Sequence, residues 1–311
     1  FRFFPKFIFR EELSFYVFNH KSLLNPKGLL DREEVLNRSI AAIDLKVDYK
    51  DYLTFIFKNT FVFSADSGGG PEEDRFENFF QEAYLSLQVS KRLFLHAGKE
   101  NYVGGISYAW NPTDYFNIRS NIFGPEGDNQ NQRQERPGTY MTKFELFLTE
   151  ATIFGIYAPR LDAGDKEFDG NDEHHFYGKV AFAVFKDYNP EFVFNYKRRS
   201  SIGVNWSGGI TNELVIQFEA AFTKGSEFEI VREGSPIGPP FAPQKTFFFD
   251  HRPNRFYVQT VFGINYTFPY NINLIAEYYY NQQGMSNREL KKYNRSEERR
   301  VWKECRYRWS A

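Results

Sequence analysis

Few residues in this 311-residue chain are equipped for chemistry, and their spacing decides what they can do. Hydrolysis needs a nucleophile and a base in contact. The nearest approach is His96, which shares a strand face with Phe94 and Glu100 and could be met by Ser86 across a turn at Ser90–Arg92. A histidine on a wet strand face accounts for the same residues, so no catalytic residue is assigned. His20 and His251 stand apart from any such group. The stretch Asp162–His175 collects Asp165, Glu167, Asp169, Gly170, Asn171, Asp172, Glu173, His174 and His175. Its Asp165-x-Glu167-x-Asp169-Gly170 core echoes a calcium loop, but Phe176 stands where a bidentate glutamate belongs. Adjacent His174 and His175 point to opposite sides of a strand, which argues against a shared zinc. Cys305 is the only cysteine, so no disulfide framework or thiolate metal site is available. No metal and no cofactor are expected.

The other charged residues fall into rows. In Ala42–Lys50, Ile43, Leu45, Val47 and Tyr49 lie on one side, and Asp44, Lys46, Asp48 and Lys50 on the other. A side-chain period of two is that of a strand with one apolar and one charged face. The pattern recurs about thirteen times in stretches of roughly ten residues, the length of a tilted strand that crosses a bilayer. The expected fold is all-β: an antiparallel, up-and-down transmembrane β-barrel, incomplete, with a polar lumen. The charged rows make Asp44, Lys46, Asp48, Lys58, Glu82, Lys99, Glu100, Lys143, Glu145, Lys179, Glu219 and Glu277 the candidate pore-lining residues, with Arg10, Glu12 and Glu191 beside them. Their signs are mixed. A mixed lumen pairs internally and stays wet, whereas strong ion selectivity would want rings of one sign.

The strands run in pairs joined by short turns at Lys50–Tyr52, Ser90–Arg92, Glu150, Asp187–Asn189, Gly208-Gly209 and Pro269–Asn271. Long polar connections separate the pairs, including Ser67–Pro71 and a Gly- and Pro-rich loop of about thirty residues before Phe256. Outer-membrane barrels sort their connections in this way, and soluble sandwiches rarely do. One short connection, Lys197–Ser201, breaks the scheme. A three-residue loop at Lys50–Tyr52 sets Tyr49 opposite Leu53, Val47 opposite Phe55, Leu45 opposite Phe57 and Asp44 opposite Lys58. A slip of one residue would put Lys58 in lipid at about 2–4 kcal/mol.

Composition narrows the alternatives. Lys plus Arg number 39 and Asp plus Glu 40, so there is no basic excess for nucleic acid. Mean hydropathy is negative and no run of about 18 apolar residues exists, which excludes a bundle of apolar transmembrane helices. Phe and Tyr number 36 and 20, a surplus that suits outward-facing strand rows. A soluble all-β protein is the remaining alternative.

Gly98-Lys99-Glu100-Asn101, followed by Tyr108-Ala109-Trp110-Asn111-Pro112-Thr113-Asp114, is the most distinctive string. With the preceding Glu82–Gln88 strand it resembles porin-like outer-membrane barrels of Gram-negative bacteria related to the alginate-export type. Gly104 stands where that family usually has Trp. Gly124-Pro125-Glu126-Gly127-Asp128, Arg136-Pro137-Gly138 and Glu277-Tyr278-Tyr279-Tyr280 extend the likeness over residues 35–294. The resemblance implies the bacterial outer membrane, with outer-membrane lipid, lipopolysaccharide and the barrel-assembly machinery as partners. Within the string, Asn111-Pro112 is a turn signal and Asp114 can cap the next turn. Alternatively the segment folds inward as a constriction loop carrying Trp110, Asn111 and Asp114.

Residues 295–311 resemble the translation of a short-read sequencing adapter, departing from it at Trp302 and Tyr307. The expected organisation is therefore residues 1–294 as an outer-membrane barrel fragment and 295–311 as a non-native read-through tail. The function these features imply is a porin-like channel for passive passage of hydrophilic solutes or glycans. The alternatives are a plugged structural or surface-interaction barrel and, further off, an outer-membrane enzyme.

Overall fold

The structure, a computed structural model, describes residues 1–16, 34–66, 75–116, 136–161, 171–183, 188–225, 229–233, 247–251, 254–284 and 288–289. The acidic run 162–170, the Gly124–Asp128 string and the tail 295–311 lie outside the described residues. The chain divides into two compact units, Phe1–Gly104 with Asp114–Lys186 and Gly105–Thr113 with Asp187–Ala311.

The first unit carries β1 (Arg2–Tyr16), β2 (Glu34–Tyr49), β3 (Leu53–Asp66), β4 (Arg75–Gln88), β5 (Leu93–Glu100), β6 (Thr139–Phe147), β7 (Ala151–Ala158) and β8 (His175–Phe182). Each pairs antiparallel with the next in chain order. The second unit carries β9 (Glu191–Tyr196), β10 (Ser200–Gly209), β11 (Leu214–Lys224), β12 (Glu229–Glu233), β13 (Phe247–His251), β14 (Phe256–Phe268) and β15 (Ile272–Asn281). Here β9, β10, β11, β14 and β15 follow one another antiparallel, while β12 and β13 form a hairpin of their own. Thirteen strands thus make an up-and-down antiparallel meander, the fold class the sequence predicts. The β12–β13 hairpin corrects the expectation of an uninterrupted loop before Phe256. Its strands are five residues long and flanked by Gly and Pro, too short for alternation to register.

The alternation organises both units. Phe3, Phe7 and Phe9 line one face of β1 and are exposed, Phe7 at 73%. In the second unit Phe192, Phe194, Ile202, Phe262 and Tyr278 do the same, Tyr278 at 69%. Exposed apolar rows of this kind mark an interaction surface or lipid contact. The opposite face carries the charged rows, with Ile40, Val62 and Phe79 packed together among them. The expected register holds: Tyr49 faces Leu53, Val47 faces Phe55, Leu45 faces Phe57, and Asp44 faces Lys58. The turn that fixes it contains Lys50 at φ 50, and the β14–β15 turn likewise contains Tyr270 at φ 71. Both place a left-handed residue in a tight hairpin connection.

One irregularity changes the face assignment of β4. Lys58 pairs with Glu82 but Asn59 pairs with Phe80, so Gln81 is an extra residue in the strand. The bulge turns Gln81 to the polar face, where its side-chain carbonyl accepts the Thr60 hydroxyl at 2.7 Å. It also returns Phe80 to the apolar face beside Phe57, their ring centroids 5.9 Å apart. Strict alternation would have put Phe80 among the charges.

Candidate functional site

On the polar face of the first unit the register assembles a chain of charges. Lys58 stands opposite Asp44 on β2 and Glu82 on β4, and its ammonium lies 2.5 Å from Glu82. Glu82 also accepts the Asn101 amide at 3.0 Å. Farther along, Lys143 pairs with Glu100 and, at 2.8 Å, with Glu145. His96 lies between the same two carboxylates, Nδ1 at 3.4 Å from Glu100 and Nε2 at 3.9 Å from Glu145. Glu82, Glu100 and Lys143 are all buried, so each depends on its partners to offset lost hydration. Lys46 pairs with Asp48 at 3.6 Å, and Asp48 accepts the Thr54 hydroxyl. Lys179 lies 4.7 Å over the Phe154 ring on the same face.

Lys99 faces Ala83 across β4–β5 and so falls on the apolar side with Leu85 and Leu87, away from the charged row. Its ammonium is buried against the Phe80 and Tyr140 rings, at 4.7 and 5.7 Å, and donates to the Phe80 carbonyl at 2.6 Å. Ser86 does stand opposite His96, but both imidazole nitrogens are turned to carboxylates, an arrangement that does not prime Ser86 as a nucleophile. His174 and His175 point apart: His174 meets the Tyr157 hydroxyl at 2.9 Å, and His175 stacks on Phe116 at 4.1 Å. Among the described residues no group of three or more His, Cys, Asp or Glu is arranged around a metal position.

The long connection after β5 is built into each unit separately. In the first unit, Arg136 is almost wholly buried. It donates to both Asp114 oxygens at 2.9 and 3.1 Å, to the Asn101 side chain at 2.9 Å and to the Tyr102 carbonyl at 2.7 Å. Asp114 further accepts the Gly104 amide at 3.2 Å. A planar fork matched to a carboxylate and two carbonyl oxygens suits arginine and not lysine. Tyr102 adds a hydroxyl–hydroxyl contact to Tyr177 at 3.0 Å.

In the second unit, residues 105–113 lie on the polar face of β11, β14 and β15, bound to two carboxylates. Glu219 is 0% exposed and accepts from the amides of Ile106 (3.0 Å), Ser107 (3.3 Å) and Thr113 (2.7 Å). The hydroxyls of Ser107 (3.1 Å) and Thr113 (2.9 Å) complete its shell. Glu277 accepts the amides of Tyr108 (2.5 Å) and Ala109 (2.8 Å) and the Gln217 side chain (3.0 Å). These bonds satisfy backbone groups that would otherwise be stranded away from water. Trp110 between the two clamps lies flat on Tyr279, centroids 5.2 Å apart and planes 3° from parallel, while remaining 59% exposed. Two glycines permit this approach. Gly105, at φ 74, leaves no room for a Cβ between Asn111 and Glu219, and a Cβ on Gly203 would meet the Thr113 methyl at 2.6 Å.

Of the candidate loop residues, then, Trp110 and Asn111 belong to the segment on the second unit and Asp114 is the carboxylate held by Arg136. Glu219 and Glu277 do face the polar side, as expected, but they bind backbone. Arg136, Ser107, Thr113, Asn205 and Tyr279 went unassigned in the sequence. Thr113 is 106 residues from Glu219, and no local spacing reveals such a pair.

No family model and no curated protein matches the chain. Among solved structures, a triple mutant of the Rh. blastica porin is similar over 90% of this chain and 96% of that chain, at 8% identity and a TM-score of 0.40.

Proposed function

We propose that the chain forms the wall of a porin-like outer-membrane channel through which hydrophilic solutes pass by diffusion, without catalysis. The observation that carries this is the division of faces along the antiparallel meander: exposed Phe, Leu, Ile and Tyr on one side, ion pairs and amides on the other. Lipid on the apolar side and water on the charged side satisfy both, since a membrane strand must bond its backbone to its neighbours and alternate its side chains. The same reading makes outer-membrane lipid and lipopolysaccharide the surroundings of the Phe rows and the barrel-assembly machinery the route of insertion. The Gly98–Asp114 string, with its resemblance to alginate-export-type barrels, supports glycans as one class of solute. Asp44, Lys46, Asp48, Lys58, Glu82, Glu100, Lys143, Glu145 and Lys179 would then line the water path.

A second reading has an observation of its own. The segment 105–113 is fastened to the polar face by seven hydrogen bonds to Glu219 and Glu277, and Gln217 braces Glu277. A segment fixed so firmly would narrow the lumen or fill it. The chain refolded into a planar bilayer separates the two: discrete conductance steps are expected of a channel, and a silent bilayer holding inserted protein would mean a plugged barrel.

A further inference from the structure

On the polar face of the second unit one large aromatic is held rigidly and left open. Trp110 is covered on one side by Tyr279 and fixed through its neighbours, since the amides of Tyr108 and Ala109 bind Glu277 and that of Thr113 binds Glu219. Trp110 nonetheless remains 59% exposed. An indole presented this way is a flat, electron-rich surface, and the charges around it decide what it attracts.

Among the described residues of this unit, the charges on the strands beneath the indole have one sign. By register, the polar rows of β9, β10, β11, β14 and β15 contain Glu191, Glu219 and Glu277 and no Lys or Arg. The segment 105–113 adds no charged side chain. The amides and hydroxyls that solvate Glu219 and Glu277 supply dipoles, not countercharge. Lys197, Arg199 and Arg255 stand beyond the strand ends, each six residues from the level of Glu219, which is about 20 Å at strand rise. That is more than two Debye lengths at physiological salt, about 8 Å. The Trp110 face therefore sits in a negative field.

We infer that the exposed face of Trp110, backed by Tyr279 and set beside Glu219 and Glu277, is a binding subsite for organic cations of the quaternary or alkylammonium class. An ammonium centred on an indole face gains from the ring quadrupole, and the carboxylates add a longer-range attraction that a neutral ring or an anion does not share. A sugar would use the aromatic face but not the field. The inference deepens the channel reading and rests on it for its physiological role, although binding itself does not require conduction.

The test is calorimetric titration of the refolded chain in detergent micelles with choline and with its uncharged isostere 3,3-dimethylbutan-1-ol. Choline is expected to bind more tightly than the isostere, with an affinity that falls as KCl rises. Trp110→Ala should weaken choline roughly 2- to 30-fold, and Trp110→Phe should retain part of it. Heat-modifiable gel mobility checks that both variants are folded. Equal binding of choline and the isostere, or unchanged binding in folded Trp110→Ala, would overturn the inference. The channel reading is judged separately by conductance: a silent bilayer with intact choline binding removes the channel and leaves the subsite standing.

Discussion

Thr113 binds Glu219 twice, through its amide at 2.7 Å and its hydroxyl at 2.9 Å. The same hydroxyl lies 2.9 Å from the side-chain oxygen of Asn205, and all three residues are fully buried. A carboxylate placed under a loop and solvated only by that loop's own donors makes the two interdependent. The loop satisfies the charge, and the charge satisfies amides that could reach no water.

Thr113→Val tests this coupling with little change of shape. It removes a hydroxyl that supports two buried acceptors, a loss on the order of 1–3 kcal/mol. Amide exchange across residues 105–113 should accelerate by about tenfold or more, while Thr113→Ser, which keeps the oxygen, should stay near the parent rate. Mass-spectrometric hydrogen exchange reads both. Unaltered exchange in Thr113→Val would mean that Glu219 does not hold the segment.

The face assignment predicts opposite outcomes for two neighbours in β2. Leu45 packs across from Phe57 on the apolar side, and Lys46 stands on the charged side with Asp48 at 3.6 Å. On the channel reading, Leu45→Lys places a cation in lipid and should cost about 2–4 kcal/mol near the midplane, impairing insertion. Lys46→Leu removes a half-exposed ion pair of small value and should insert normally. Recovery of folded protein from lipid vesicles after refolding measures the difference, and equal yields would contradict the assignment.

How much of this could be read from the chain alone depends on the range of the signal. Period-two alternation is local, so the strands and the Asp44–Lys58 register were legible, and β5 and β14 agree with the sequence at both ends. The Gln81 bulge was not, because one inserted residue reverses the phase of everything before it and leaves no mark in composition. Lys99 shows the opposite error. Its spacing from Leu93, Leu95 and Ala97 put it on their side, but its charge was given more weight than its phase. The Glu219 and Arg136 clamps lie beyond any local pattern. Their partners are donors from distant backbone, and backbone carries no sequence signature.

Lys99 and Lys143 look alike in the sequence and stand on opposite faces. Lys143 neutralises Glu100 and Glu145 in a buried cluster. Lys143→Leu would leave those carboxylates with only His96 nearby and should destabilise the fold by about 3–5 kcal/mol. Lys99 bonds the Phe80 carbonyl and lies against the Phe80 and Tyr140 rings on the apolar side. On the channel reading, Lys99→Leu forfeits those but removes an ammonium from the apolar row, so the two effects should nearly cancel, to within roughly 1 kcal/mol. Urea unfolding from lipid vesicles, followed by loss of heat-modifiable mobility, compares them directly. A Lys99→Leu variant as fragile as Lys143→Leu would mean that Lys99 belongs to the charged row after all, and that the β4–β5 register must be redrawn.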